Sequence, residues 1–580
     1  MSTLSAISSS RFPNMSETAT VLHDPITLEI LSNALRSVAD ETFVALQKSA
    51  FSTNIKERHD HSTALFDSSG RLVMQAQKSL PLHVGAMSGT VAKVVEKYGT
   101  DIHEGDVFVA NDPYAASGTH LPDICISAPI FFDGQLIGFS SSTAHHADIG
   151  GASVGGSAAG LTEIFQEGLR IPMIRLFSEG MVNQELFDLL LLNVRRSEER
   201  KGDYNAQFAA VALGVKRMQE MCRRYGGPYV AAAFDEIIAR TKKRMERAIA
   251  SIPQGEYAFS DIIDDDGLGN ENIPVAVRII KSADRLTVDF EGSAPQTAGN
   301  INSPWADTVA TVIYVLKCVL DPHIPSNHGL FATVDVVAPK GSIVRAEFPA
   351  SVTNRSTTAQ RVVDIMIGAL AQALPDRVVA ASNGANTGIY FYGTDHRTGK
   401  PFYFFETMGG GFGARPEKDG KDAVQVHTTN TANTPVEALE REFPLFVEEY
   451  SVVENSGGAG RQRGGCGLRR IVRPLGQSCT FGGTGERFNN RPWGLFGGQP
   501  GEMGSFAISG DDGSMTRLPN KIPKVPVAPD QTVVMQTAGA GGYGDPAERT
   551  PAAVHDDLLD GLFSRAYLEK HYPAQIKSAE

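Results

Sequence analysis

The chain has 580 residues, of which 42% are hydrophobic and 21% are charged, a composition typical of a globular protein with more than one domain. Its formal net charge of −13 repels the phosphates of nucleic acids and of anionic lipids. We therefore expect neither nucleic acid nor a membrane as a partner. The sequence also lacks an uninterrupted run of the roughly 18 apolar residues that a membrane span needs.

The cysteines and the N-terminus indicate the compartment. Five cysteines are spread along the chain without any CxxC pair, so the sequence predicts neither a disulfide framework nor a thiolate zinc site. Residues 1–22 are rich in Ser and Thr and lack the apolar segment of a secretory signal, and we interpret them as a disordered leader. These features favour a cytoplasmic protein.

The first elements after this leader can be predicted from periodicity. Asp24 as N-cap and Pro25 at the first helical position begin a long amphipathic helix that continues to Leu46. Strand-like alternation starts in "NIKERHDHSTALFD", which places Asp60 where a helix gives way to a hairpin. Junctions of this kind often carry functional groups.

A second hairpin is predicted from residue 123 to residue 145, with Asp133 and Gly134 as a two-residue type I′ turn. In a strict hairpin, paired residue numbers sum to 267, which places Asp123 opposite Ala144. Asp123 would then share its face of the sheet with His146 rather than His145, unless a bulge intervenes. In either register, His120 lies three residues upstream of the hairpin's open end.

The remaining patterns indicate an α+β fold, with mixed helices and antiparallel sheets in several domains. We predict helices within 185–226, 231–253 and 306–320, a hairpin over 273–293, and strands over 331–347. The expected units are a metal-binding catalytic domain (23–250), a mixed α/β domain (251–440), a Gly-rich β domain (441–550) and a helical tail (551–580). The clustered glycines are interpreted as tight loops with positive φ.

Two histidines and an aspartate form a candidate metal site. Asp123 follows His120 by three residues, and His145 comes 22 residues after Asp123. Imidazole and carboxylate ligands suit zinc, manganese or iron(II), and three of them leave positions open for water or substrate. The alternatives are a surface loop for the His-x-x-Asp segment and a hydrogen-bonded structural role for the His145–His146 pair.

Other catalytic motifs are absent from the sequence. The phosphate-loop pattern GxxxxGK[ST] does not occur, so a nucleotide would have to bind another chain. The serine-hydrolase elbow GxSxG is missing before His145, and Cys125 and Cys466 lie in runs typical of strands or turns. We therefore expect no nucleotide-binding residues here, and the patterns identify no catalytic acid, base or nucleophile.

Ordered motifs from residue 24 to residue 546 resemble the hydantoinase B and 5-oxoprolinase family. They include "DPITLEILSNAL", "GTHLPD", "HHADIGG", "GGGFGARPEKDG", "RPWGLFGG" and "GGYGDP". The family contains cyclic-amide hydrolases and the alpha-type subunits of ketone carboxylases. The resemblance implies a partner of hydantoinase A type that binds ATP, in a heterotetramer or a larger complex.

Transferred to this sequence, the family's metal ligands are Asp60, His120, Asp123 and His145, holding zinc or manganese. The resemblance thus favours His145 over the register-based choice of His146, which becomes a neighbour of the ligands or a catalytic candidate. His59 and His61 remain competitors for the position of Asp60.

The implied function is the opening of a hydantoin, 5-oxoproline or lactam ring after the partner phosphorylates the amide. The alternatives are an ATP-dependent carboxylase acting on acetone or acetophenone, and a noncatalytic scaffold for the partner. The Gly-rich segment 150–160 either closes over the substrate through its N–H groups or is an ordinary flexible loop.

Overall fold

The computed structural model describes residues 24–156, 158–510 and 512–578, so the predicted leader lies outside the described residues. The helices are α1 (Pro25–Ser49), α2 (Thr53–Lys56), α3 (Pro81–Tyr98), α4 (Ile164–Glu167), α5 (Gln184–Leu192), α6 (Ser197–Tyr225), α7 (Gly227–Ile249), α8 (Trp305–Leu320), α9 (His328–Phe331), α10 (Arg355–Ala371), α11 (Val436–Glu442), α12 (Pro551–Leu559), α13 (Arg565–His571) and α14 (Pro573–Ser578). None of the described helices has the length and apolar character needed to cross a membrane.

The strands form four sheets, and their pairings are antiparallel apart from β10 with β11. The strands are β1 (His61–Asp67), β2 (Leu72–Gln75), β3 (Val107–Ala110), β4 (Asp123–Phe132), β5 (Gln135–His145), β6 (Ile174–Ser178), β7 (Met181–Val182), β8 (Gly255–Asp265), β9 (Glu271–Lys281), β10 (Leu286–Asp289), β11 (Asp335–Val337), β12 (Thr387–Thr394), β13 (Pro401–Met408), β14 (Leu445–Val452), β15 (Leu468–Pro474), β16 (Cys479–Thr484), β17 (Ser505–Ser509), β18 (Met515–Arg517), β19 (Lys521–Val527) and β20 (Thr532–Gln536). The predicted α+β class with antiparallel sheets is confirmed.

The first sheet, in the order β2-β1-β5-β4-β3-β6-β7, is covered by helices on both faces. On one face Leu65 packs with α1, α6 and α7, whereas Ala64 and Phe66 point to the other face and pack with α3. Side chains alternate along a strand, so two covered faces bury every residue of β1. This sheet provides the rigid support for the predicted metal site.

The second half of the chain packs against this unit. The sheet β11-β10-β9-β8 packs on α8 and α10, and α8 in turn contacts α3. The other two sheets have the orders β13-β12-β16-β19 and β14-β15-β20-β17-β18, and they share one apolar core. The domain boundaries near 250 and 440 stay predictions, although the third sheet joins strands from both sides of residue 440.

Two parts of the predicted element order differ from the structure. Within 331–347 only Asp335–Val337 forms a strand, because this segment otherwise follows turns held by local hydrogen bonds. The helices α3 and α10, which sequence periodicity did not indicate, occupy Pro81–Tyr98 and Arg355–Ala371. Both of these helices reach the predicted metal site.

The glycine clusters of the second half mostly serve close packing of backbones. Gly411, Gly464 and Gly465 all have ordinary φ values, but a Cβ at Gly464 would lie 1.9 Å from the Ala540 oxygen, and one at Gly465 would lie 1.9 Å from the Lys421 oxygen. The prediction of positive φ is therefore wrong for most glycines of these clusters, whereas it is correct for Gly544 and, in the first half, for Gly150, Gly151, Gly155 and Gly160.

A β-bulge sets the register of the β4–β5 hairpin. Phe132 pairs with Gln135 as a strict two-residue turn requires, but beyond Ile137 the pairing shifts by one residue. Asp123 consequently lies opposite His145 rather than Ala144. The strict register, and with it the preference for His146, is wrong because a single inserted residue reverses which side chains share a face.

Gly138, next to the bulge, is expected to tolerate no side chain. A Cβ there would lie 2.0 Å from the backbone oxygen of Phe66 on β1, so Gly138→Ala should lower the free energy of unfolding by about 1–3 kcal/mol. Denaturant titration measures the loss. Gly393→Ala is the matched control in a strand of the third sheet, where the nearest atom would be 3.2 Å away. Equal stability of the two variants would contradict this account of the register.

Candidate metal centre

A small cavity of about 70 Å³ lies at the open end of the β4–β5 hairpin. Its lining comes from both halves of the chain. The first half contributes acidic and imidazole side chains, and the second half contributes Arg355 together with several threonines and asparagines. Each predicted metal-binding residue lines this cavity: Asp60, His120, Asp123 and His145.

Three of the four predicted residues converge closely. One ligand atom from each of His120, Asp123 and His145 lies within 4.8 Å of the others, and all three residues are buried. Asp123 begins β4 and His145 ends β5 directly opposite it, while His120 comes from the preceding loop. The His120 Nε2 atom lies 3.1 Å from Asp123 Oδ2. Such spacing allows three donors to contact a single cation.

Asp60 occupies the adjoining wall of the cavity rather than the close cluster. Its carbonyl oxygen accepts a hydrogen bond from the His145 N–H at 3.0 Å, which fixes the two residues relative to each other. Its carboxylate lies 3.8 Å from the Arg58 guanidinium. The predicted competitors face α1 instead: His59 contacts Gln47, and His61 stacks on Phe43. Neither histidine can replace Asp60 in the cavity.

His83 was not identified from the sequence, although it lies between the carboxylates of Asp60 and Asp123. Its Nε2 atom lies 3.5 Å from Asp123 Oδ1 and 3.7 Å from Asp60 Oδ1, and its Nδ1 atom lies 3.0 Å from Ser62 Oγ. Pro81 at the start of α3 signals a helix whose first turn contains His83. No local pattern, however, places that turn against β1.

Residues of the second half also contact the ligand cluster, among them Phe405, whose ring stacks on His145. The Arg355 guanidinium donates to Asp123 Oδ2 at 3.0 Å and to Thr119 Oγ1 at 2.9 Å. The Thr353 carbonyl oxygen lies 3.2 Å from His120 Nδ1. Arg355 begins the 17-residue helix α10, so the positive end of that helix dipole also faces the cavity. These groups were not predicted from the sequence.

The protonation states favour cation binding. Burial, together with Arg355, lowers the pKa of His120, and burial lowers the pKa of His145 to about 3. Both imidazoles are therefore neutral at pH 7, with lone pairs available for a ligand. Burial alone would raise the pKa of Asp123, but His120 and His83 hold it well below its ordinary value.

The hydrogen bonding of Asp123 shows whether His120, Asp123 and His145 fit a metal ion. Asp123 Oδ1 is buried and has no hydrogen-bond partner among the described residues. A buried carboxylate oxygen without a partner is costly in free energy unless a cation satisfies it. Two neutral imidazoles and a carboxylate are ordinary ligands of zinc and manganese, so the residues present fit a divalent ion.

His146 and the Gly-rich loop have other roles. The His146 ring packs on Tyr204, its Nε2 atom lies 2.9 Å from Gln207 Oε1, and it does not line the cavity. In the described part of 150–160, the N–H groups of Gly150 and Gly155 donate to Asp148. No described residue of that loop lines the cavity, so the interpretation that it closes over substrate gains no support.

Comparisons with known proteins give a consistent assignment. The family model described as hydantoinase B/oxoprolinase matches residues 24–546. The B-type subunit of a putative D-/L-hydantoinase from Pseudomonas sp. (strain NS671) is 32% identical over 573 residues, which cover 96% of each chain. The beta chain of the caprolactamase of Pseudomonas jessenii is 32% identical over 93% of this chain and 94% of its own.

Solved structures agree with this assignment. A crystal structure of ATP-dependent caprolactamase from Pseudomonas jessenii has a TM-score of 0.89 at 30% identity, covering 95% of this chain and 96% of the other. Nucleotide-free acetone carboxylase has a TM-score of 0.87 at 20% identity, covering 95% and 79%, and shares the fold. The family match and these full-length similarities agree with the sequence motifs, and the chain belongs to the hydantoinase B/oxoprolinase family.

Proposed function

We propose that this chain is the ring-opening subunit of an ATP-dependent cyclic amidohydrolase. The observation that carries the proposal is the convergence of His120, Asp123 and His145 in a buried cavity, with Asp60 on the adjoining wall. These four residues hold one zinc or manganese ion. The substrate class is a cyclic amide such as a hydantoin, 5-oxoproline or a lactam, which follows from the names of the family and of its relatives.

A partner subunit supplies the ATP chemistry. A cyclic amide is a poor electrophile because the nitrogen donates electron density into the carbonyl group, and phosphorylation of the amide oxygen removes that protection. The sequence contains no phosphate-loop motif, and two relatives are described as subunits. A hydantoinase A-type subunit that binds ATP, in a heterotetramer or a larger complex, accounts for both facts.

The cavity combines two kinds of chemistry. A bound divalent ion lowers the pKa of a coordinated water towards about 7 and so supplies a nucleophile at neutral pH. Arg355 and the first turn of α10 place positive charge at the wall of the cavity, where it would stabilise negative charge that develops on a bound substrate. Thr119 and Arg355 orient the Asp123 carboxylate. The protein thereby fixes the ligands before substrate arrives.

Two alternatives are less well supported. A ketone carboxylase shares the fold, but its 20% identity carries no argument about chemistry. A noncatalytic scaffold gives no reason for His120, Asp123 and His145 to converge at the wall of a cavity with Asp60 beside them. The cytoplasmic location stays a prediction, with which the five free cysteines agree.

Adjacent histidines provide a sharp test of the ligand assignment. His145→Ala should abolish stoichiometric metal binding, because it removes a donor from the close cluster. His146→Ala is the matched control: it removes an equally buried imidazole that faces Gln207. Metal content by mass spectrometry of the purified complexes, with circular dichroism to verify folding, checks both. Loss of metal in the His146 variant alone would refute the assignment.

Coexpression of the chain with a hydantoinase A-type subunit tests the proposed ring-opening reaction. The complex should open at least one of hydantoin, 5-oxoproline or a larger lactam in an ATP-dependent manner, with one phosphate released per ring opened. The chain alone should show no such turnover, because ATP binding is assigned to the partner subunit. A metal-containing complex that instead fixes bicarbonate onto a ketone would establish the carboxylase alternative.

A further inference from the structure

Glu167 is a buried carboxylate that is not one of the proposed metal ligands. It contacts the backbone of Thr353, whose carbonyl oxygen in turn contacts the ligand His120. It ends the short helix α4 in the first half of the chain and is 0% exposed. Its Oε1 atom accepts three hydrogen bonds from the second half: from Ser351 Oγ at 2.6 Å, from the Val352 N–H at 2.5 Å and from the Thr353 N–H at 3.0 Å.

The segment 351–354 has no regular secondary structure of its own. Asn302 donates to the Ser351 oxygen, and the Asn354 N–H donates to Asn300. The two amides between these points, those of Val352 and Thr353, both donate to Glu167. Glu167 therefore fixes these amides relative to the first half of the chain, together with the Tyr114 hydroxyl, which donates to the Ala350 oxygen, and the apolar packing of Val352.

The Thr353 carbonyl oxygen determines the tautomer of His120. It lies 3.2 Å from His120 Nδ1, and because a carbonyl oxygen only accepts, Nδ1 must carry the hydrogen in this bond. The lone pair of the neutral ring is then on Nε2, the atom 3.1 Å from Asp123 Oδ2. A hydrogen bond on one ring nitrogen commonly selects the other as the metal ligand.

We infer that Glu167 is a positioning residue for the metal centre: it holds segment 351–354 so that the Thr353 carbonyl keeps His120 Nε2 free to bind the ion. The same segment leads into Arg355, so Glu167 helps to place both the Thr353 carbonyl and the Arg355 guanidinium beside the ligand cluster. This inference rests on the proposed metal centre.

The geometry of Glu167 also provides a conservative variant. Its Oε2 atom is buried and has no hydrogen-bond partner among the described residues. Glutamine can keep an acceptor oxygen at the Oε1 position and place its amide nitrogen where Oε2 lies. Glu167→Gln should therefore retain the hydrogen bonds from the Val352 and Thr353 amides, whereas Glu167→Ala removes them.

Metal affinity and cobalt spectroscopy of the full complex with its A-type subunit test the role. Glu167→Ala should weaken binding of the metal, measured by chelator competition, by about 10- to 100-fold and change the visible spectrum of the Co²⁺-loaded protein. Glu167→Gln should restore the wild-type affinity and spectrum. Asp264→Ala is the matched control, since Asp264 is a buried carboxylate that accepts the N–H groups of Phe488 and Asn489 and does not line the metal cavity.

Hydrogen exchange of the metal-free chain separates this inference from the proposed function. Peptides spanning residues 349–356 should exchange faster in Glu167→Ala than in the wild type. Absence of stoichiometric metal from the wild-type complex would refute the proposed metal centre. Equal hydrogen exchange in the wild type and in Glu167→Ala would refute the claim that Glu167 holds segment 351–354. Wild-type metal affinity in Glu167→Ala, or a glutamine variant as weak as the alanine variant, would overturn the positioning role.

Glu167→Asp provides a second test of the positioning role if the alanine variant does not fold. Glu167→Asp keeps the charge but withdraws the acceptor by one methylene, so metal affinity should fall while the charge is conserved. Wild-type affinity and an unchanged Co²⁺ spectrum in that variant would overturn the inference equally well.

Discussion

The Asp123 carboxylate is the group on which the whole site depends. It is almost completely buried, and removing a carboxylate from water costs several kcal/mol unless partners compensate. Its Oδ2 atom accepts hydrogen bonds from Thr119 and Arg355 and lies 3.1 Å from His120 Nε2, whereas Oδ1 faces His83 without a hydrogen bond. The first half of the chain thus places Asp123 at the end of a β-sheet, and the second half supplies the positive charge of Arg355 that compensates for its burial.

This arrangement explains why the two halves pack so closely. The cavity is complete only when α10 and the loop before it lie against the hairpin end, because Arg355 and Thr353 come from there. α3 approaches α8 through Gly85, where a Cβ would lie 2.6 Å from the side chain of Ala310. The same helix carries His83 towards the carboxylates. Backbone contacts far from the ligands therefore determine the site's geometry.

Only part of this site could be predicted from the sequence. His120 and Asp123 lie three residues apart at the start of β4, so their spacing alone indicated a ligand pair. His145 was chosen through the family resemblance, because the bulge at Ile137 has no distinctive sequence and reverses the register-based choice. Arg355 escaped prediction because α10 is buried nearly all round and lacks an amphipathic period. Glycine composition likewise could not distinguish positive φ from close backbone approach.

The most direct test of the metal centre is anomalous X-ray scattering from crystals of the complex, recorded above and below the absorption edge of the ion found in solution. The account predicts one peak per chain, bonded to Asp60, His120 Nε2, Asp123 and His145 at about 2.0–2.2 Å, the distance range of such ligands. A peak bonded to other residues, or a fully active complex with no peak in this cavity, would contradict it.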